Sequence, residues 1–321
     1  MWIVPEGTIG GLMTPEAAFV AVEQVFAAMS RGEAYNFPVI REAIGHADAL
    51  YGFKSGFDRA GLNLGLKTGG YWPGNADKGL TNHQSTVILF DADTGRAKAL
   101  VGGNLLTALR TAAASAVSIK HLARPDAKVL GIVGAGHQSA FQMRAAVAQR
   151  DFERVIGWNL HPEMLSRLAD TAAELGMPFE AVPLDRLGAE ADVIITITSS
   201  FDPILMDAQI APGTHLACMG TDTKGKQEVD AALVAGATVF ADEVAQSVTL
   251  GEAQHAVAAG LKAESDIAEM GAVINGTHPG RTSEAEVTLF DGTGVGLQDL
   301  AVAAAVLDLA IEQGIAVEVA F

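Results

Sequence analysis

The sequence predicts an α/β protein in which a doubly wound parallel sheet is joined to a smaller α+β domain. Two patterns carry this. From residue 128 onward, short and nearly continuous apolar runs alternate with stretches of helical periodicity, as in a parallel sheet covered on both faces. Before residue 96, extended runs are separated by glycine and asparagine, as in a mostly antiparallel sheet. With 321 residues, 49% of them hydrophobic and 18% charged, the chain has enough apolar surface for two cores.

In chain order, Thr14-Pro15-Glu16 supplies a capping hydroxyl, a proline at the first helical position and an acid in the first turn. Ala18, Val22, Val25, Phe26 and Met29 follow at helical spacing, so a helix is expected over 14–31. YGFKSGF, LNLGLKTGGYW and STVILFD are the antiparallel strands between 35 and 96. An alanine-rich helix over 105–122 stops at Arg124-Pro125. KVLGIV (128–133), RVIGW (154–158), FEAV, DVIITIT (192–198), THLACM (214–219) and TVFAD (238–242) then read as parallel strands, with helices at 137–149, 162–175 and 230–236. VTLFDGTGVGLQD and an apolar helix over 297–313 close the chain, and that helix can return to the first domain.

The formal net charge of −17 repels phosphate backbones and anionic lipid surfaces, so neither nucleic acid nor a membrane is an expected partner. A small anionic substrate is compatible with that field where basic residues are concentrated locally. The single cysteine, Cys218, excludes an internal disulfide and reads as a small buried apolar residue. MWIVPEGTIGG lacks a basic stretch followed by an apolar one, and no apolar run approaches the roughly 20 residues of a spanning helix. A cytoplasmic protein is expected. No His, Cys, Asp and Glu cluster has metal-ligand spacing, and no metal is expected.

Gly134-Ala135-Gly136-His137-Gln138-Ser139 directly follows the KVLGIV strand and opens a helix. In that frame G-x-G-x-x-S is a dinucleotide fingerprint: the first glycine permits the turn, the second lets a diphosphate approach the backbone, and a small third residue seats the helix close to the sheet. A Rossmann-type domain follows. The next strand ends at Asn159, where an NAD enzyme normally carries an acid for the ribose hydroxyls. A neutral amide still bonds a 2′-hydroxyl, and Leu160-His161 supplies no arginine for a 2′-phosphate, so NAD is favoured over NADP. Thr198-Ser199-Ser200 ends another strand at the same edge, either against the cofactor or as a capping turn.

Four charged residues stand in unusual places. Lys67 ends the run LNLGLK beside glycines and aromatics, where partial desolvation would lower its pKa; a solvated strand-end lysine is the alternative. Arg110, followed by Thr111, lies on the Ala/Leu-rich helix, which carries no acid, so its counter-ion is remote in sequence or is the substrate. Arg41 is similar, although Glu42 beside it offers a plain ion pair. Asp222, in MGTDTKGKQEVD, follows a parallel strand at the ligand edge, with an Asx turn as the ordinary alternative. His83, between Asn82 and Gln84, is a polar histidine without ligand-spaced companions.

LGLKTGGYWPGN with Lys67, NLLTALRTAAASA with Arg110 and Thr111, the GAGHQS loop, and MGTDTKGKQEVD with Asp222, in this order, resemble the ornithine cyclodeaminase and mu-crystallin family over essentially the whole chain. The resemblance implies that Arg41, Lys67 and Arg110 surround a substrate carboxylate and that Asp222 meets the amine or imine nitrogen; Thr111 and His83 are further candidates for binding the substrate. It also implies a homodimer paired through the smaller domain and hydride exchange at a Cα–N bond with a nicotinamide cofactor. Within the family, AYNFPVIREAIGHADALYGFKSGFD and NHQSTVILFD are similar to an NADH-dependent reductase of a small dicarboxylate imine. A cyclodeaminase or other amino-acid dehydrogenase is the enzymatic alternative. A crystallin-like nucleotide-binding protein is the other, and the presence of Lys67, Arg110 and Asp222 together argues against it. The expected domains are 1–122 with 297–321, for substrate binding and dimerisation, and 123–296, for the dinucleotide.

Overall fold

The computed structural model describes the whole chain, Met1–Phe321, as two compact units, Met1–Arg110 with Val295–Phe321 and Thr111–Gly294. Their division falls inside the helix Asn104–Leu122, between Arg110 and Thr111, and not after residue 122.

The first unit is an eight-stranded sheet with two helices against it. Its strands are β1 (Trp2–Val4), β2 (Ala34–Asn36), β3 (Ile40–Ala43), β4 (Leu50–Asp58), β5 (Asn63–Tyr71), β6 (His83–Phe90), β7 (Ala97–Gly102) and a short terminal strand, Val317–Glu318. β4 to β7 form an antiparallel meander, and both β2 and β3 pair with β4. β1 runs parallel to β7. The helix Pro15–Ser30 starts where expected, its Thr14 hydroxyl accepting from the Ala17 amide at 3.1 Å. It packs on the final helix, Gly296–Glu312, which lies across β4, β5 and β6.

That crossing is close because of glycines. A Cβ on Gly296 would sit 2.8 Å from the Ser55 amide nitrogen, so only glycine lets the helix begin against β4. Leu297 and Leu300 then pack over Gly56 and Gly65 of the sheet. The apolar side of the helix, including Leu297, Leu300, Ala303 and Leu307, is fully buried, which removes about 2 kcal/mol of unfavourable exposure per leucine. Its first turn thereby carries Asp299 down to β5.

The second unit contains β8 (Val129–Val133), β9 (Arg154–Trp158), β10 (Phe179–Ala181), β11 (Val193–Thr196), β12 (His215–Cys218), β13 (Thr238–Ala241), β14 (Ile267–Glu269) and β15 (Thr288–Asp291). The order is β10-β9-β8-β11-β12-β15-β13-β14, and every pair is parallel. All residues of β11 and β12 are buried, which explains why they read as continuous apolar runs. The chain moves outward from β8 to β10 and then returns to the other side of β8 at β11. This reversal opens a crevice at the carboxyl ends of β8 and β11.

β11 ends at Thr196, short of the expected 198, because the Thr198 amide turns from the ladder to the Glu228 carboxylate at 2.6 Å. The sequence pattern also passes over the helices Leu184–Glu190, Val244–Leu250 and Gln254–Ala258 and the strand β14, each too short to show a period. No single helix is long and apolar enough to cross a membrane.

Candidate active site

In the first unit, three charged side chains from three elements meet out of water. Lys67 points from β5, Arg110 from the helix Asn104–Leu122, and Asp299 from the first turn of the final helix. Lys67 Nζ lies 2.9 Å from each Asp299 oxygen, and Arg110 Nε donates to Asp299 Oδ1 at 2.9 Å. Arg110 Nη1 donates to Gln298 Oε1 at 3.0 Å, and Lys67 also reaches Thr107 Oγ1 at 3.4 Å. Asp299 is 0% exposed and each cation 7%. The counter-ion that the arginine helix lacks is therefore an acid on the last helix.

Burial and the Arg110 charge lower Lys67 to about 7, against the pull of Asp299. Burial by itself would raise Asp299, but Arg110 and Lys67 hold it below the ordinary carboxylate value. His83, at the start of β6, is pushed down to about 4 by burial and by Lys67, Arg110 and, more weakly, Arg41. Arg41 lies on β3, opposite Gly52 of β4. Thr111 is buried beside Arg110 in sequence. The group contains two cations and one carboxylate, so with Lys67 protonated one positive charge is left without a full partner, the condition for capturing an anion.

The second unit holds the glycine loop at the head of its crevice. Gly134 adopts φ +109, and a Cβ there would lie 2.6 Å from the Ile197 carbonyl oxygen. A Cβ on Gly136 would meet nothing within 4 Å, which leaves its backbone approachable. Ser139 is fully buried, donates to the Gly136 carbonyl at 2.8 Å and starts the helix Ser139–Val147. The positive φ, the open glycine and the helix N-terminus together fit a dinucleotide diphosphate. His137 is exposed, its ring tilted against that of Phe141 and its pKa lowered by partial desolvation and by Arg167, while Gln138 leads into the helix.

Asn159 staples this loop: its Oδ1 accepts from the Ala135 amide at 3.0 Å and its Nδ2 donates to the His161 carbonyl at 2.9 Å. Arg167 Nη1 donates to the Ala135 carbonyl at 3.0 Å. Across the crevice, Thr198 is held by Glu228, and Ser200 closes a turn by donating to the Asp202 carbonyl at 2.6 Å, with Ser199 exposed between them. Asp222 is half-buried and faces Lys226, whose Nζ is 2.9 Å from its Oδ1. Cys218 is buried, its thiol pushed up by burial and by surrounding acids.

Residues 8–314 match the Ornithine cyclodeaminase/mu-crystallin family. The chain belongs to that family. This member is 71% identical over 319 residues to the iminosuccinate reductase of Paracoccus denitrificans (strain Pd 1222), with 99% of each chain covered. Its structure is similar to the crystal structure of the Paracoccus denitrificans iminosuccinate reductase in complex with NAD+, at a TM-score of 0.96 and 70% identity over 100% of this chain and 99% of that one. An archaeal alanine dehydrogenase dimer with bound NAD matches at a TM-score of 0.94 and 29% identity, covering 100% and 99%. The family and the α/β fold expected from the motifs are both observed.

In this cyclodeaminase/mu-crystallin family member, the expected residues divide between the two units. Lys67, Arg110, Arg41 and His83 gather in the first, while the glycine loop, Asn159, Thr198 and Asp222 belong to the second. Three functional candidates escaped the sequence reading: Asp299, Glu228 and Lys226. Asp299 carried one faint signal, an acid at the start of a largely apolar helix, but an acid in a first turn is usual there.

Proposed function

We propose that this protein is an NADH-dependent imine reductase that converts iminosuccinate to L-aspartate. The observation that carries this reading is the 71% identity, over 99% of both chains, to the iminosuccinate reductase of Paracoccus denitrificans. The reaction adds hydride to Cα of the C=N bond and a proton to nitrogen. NADH, when bound on the glycine loop, supplies the hydride and is released as NAD+.

The chain's own residues hold the charges. A substrate carboxylate beside Lys67 and Arg110 completes the neutralisation that Asp299 begins, and it draws a proton onto Lys67. Arg41 and Thr111 flank that carboxylate, and His83, held neutral, adds a hydrogen bond without adding charge. Asp222 is assigned the imine nitrogen, where its negative charge favours the iminium that accepts hydride. Lys226 offsets Asp222, so a second carboxylate is tolerated.

The assembly goes with a second copy of the chain. Tyr35, Phe37, Ile40, Ile44, Tyr51 and Tyr71 are exposed on and beside β2 to β5, apolar surface that a second copy would cover. The archaeal alanine dehydrogenase of the same fold is a dimer. The reading places the enzyme in the cytoplasm, where a reduced nicotinamide pool is maintained.

The test is NADH oxidation against oxaloacetate with ammonia, pyruvate with ammonia, and, in reverse with NAD+, L-aspartate and L-ornithine. Turnover confined to the four-carbon pair supports the assignment. Faster turnover of ornithine or of the pyruvate mixture rejects it.

A further inference from the structure

A buried carboxylate outside the expected site joins the two loops that frame the crevice. Glu228 is 0% exposed, and its two oxygens take four hydrogen bonds. Oε1 accepts from the Thr198 amide at 2.6 Å and its hydroxyl at 2.8 Å; Oε2 accepts from the Thr196 hydroxyl at 2.7 Å and the Gly220 amide at 2.9 Å. The first three donors end β11, and the fourth follows β12. The approach is tight enough that a Cβ on Gly220 would lie 2.3 Å from the Thr198 carbonyl oxygen.

A second buried acid fixes the first. Glu252, also 0% exposed, accepts from the amides of Glu228 and Val229, both at 2.8 Å, through Oε1, and from the Thr221 hydroxyl through Oε2. Thr221 directly precedes Asp222. Burial and the neighbouring Glu228 charge push Glu252 up, and burial pushes Glu228 up as well. A charge buried this deeply without a cation costs several kcal/mol unless each lone pair is satisfied. Hydrophobic packing would hold two loops together more cheaply. A fully bonded carboxylate instead fixes donor positions to within a few tenths of an ångström.

We propose that Glu228 is a positioning residue for the nicotinamide end of the cofactor and for Asp222, because its carboxylate sets the separation between the ends of β11 and β12. The inference rests on the reading that the second unit binds NADH. In Glu228→Gln, the amide nitrogen must face a backbone N–H, that of Thr198 or of Gly220, which can only donate, so that bond is lost and its Thr hydroxyl neighbour has to turn to accept, which lets the loops part. The loop Gly134–Ser139, which would take the adenosine diphosphate half, makes none of these bonds.

Binding of NADH and of ADP-ribose, which lacks nicotinamide, separates the two ends. For Glu228→Gln, NADH is expected to bind about tenfold or more weakly while ADP-ribose changes less than about twofold, and kcat falls as well. Thr198→Val and Thr221→Val remove single hydroxyls and should show the same split at about threefold, which keeps the test open if Glu228→Gln does not fold. Equal loss for both ligands, or no loss for either, overturns the proposal. Failure of the unaltered protein to bind ADP-ribose and NADH would instead reject the cofactor reading beneath it.

Discussion

Lys67 Nζ lies 2.9 Å from both carboxylate oxygens of Asp299, 232 residues further along the chain. The same carboxylate accepts from Arg110 Nε, so a single acid organises both cations assigned to the substrate. Its position comes from Gly296, which lets the final helix start against β4.

Asp299→Asn removes the only negative charge from this buried group and leaves two cations facing each other. Breaking such a pair should cost about 3 kcal/mol of stability, read from the midpoint of denaturant unfolding with an unchanged slope. Gln298→Ala, which removes a neutral acceptor from Arg110, should cost about 1 kcal/mol. Near-equal losses would show that Asp299 does not carry the electrostatic balance.

Lys67 makes carboxylate binding pH-dependent. Without ligand it loses its proton as pH rises through about 7, whereas a bound carboxylate favours the protonated form. Affinity for succinate, a dicarboxylate that does not react, should therefore be greatest below that pH and weaken by up to about tenfold per pH unit above it. Lys67→Met should bind weakly with no such slope. A wild-type affinity that stays flat between about pH 6 and about pH 9 removes Lys67 from the carboxylate site.

Asp222→Asn keeps the shape of the side chain and removes its charge. If Asp222 favours the iminium, kcat should fall on the order of 10² while the NADH dissociation constant stays nearly unchanged. Lys226 would then lose its ion-pair partner, so circular dichroism and melting temperature serve as the control for folding. A variant with near-normal kcat returns Asp222 to a purely structural pairing with Lys226.

Cofactor choice is read beside β9. Asn159 commits one end of its amide to Ala135 and the other to His161, and Leu160 projects 73% exposed where a 2′-phosphate would need a cation. NADH should bind about tenfold or more tightly than NADPH, and Leu160→Arg should narrow or invert the ratio. Equal dissociation constants in the unaltered protein would show that Arg167, bonded to the loop through Nη1, already serves the phosphate.

The glycine loop and the parallel strands were legible in the sequence because each is local. Six consecutive residues after a strand encode a turn and a helix start, and strands buried on both faces show as apolar runs whatever their neighbours are. The helix Pro15–Ser30 was legible for the same reason, through its cap and its proline. Arg110 was conspicuous as a cation without an acid nearby, yet its partner could not be named. Asp299 and Glu228 became functional candidates only in the folded chain. Taken locally, the first is an acid in a first helical turn and the second an acid in a polar loop, both ordinary placements. What distinguishes them is complete burial against donors 189 and 30 residues away. Loss of hydration turns an ordinary carboxylate into an organising charge, and that depends on which distant segments close over it, which only the tertiary structure decides.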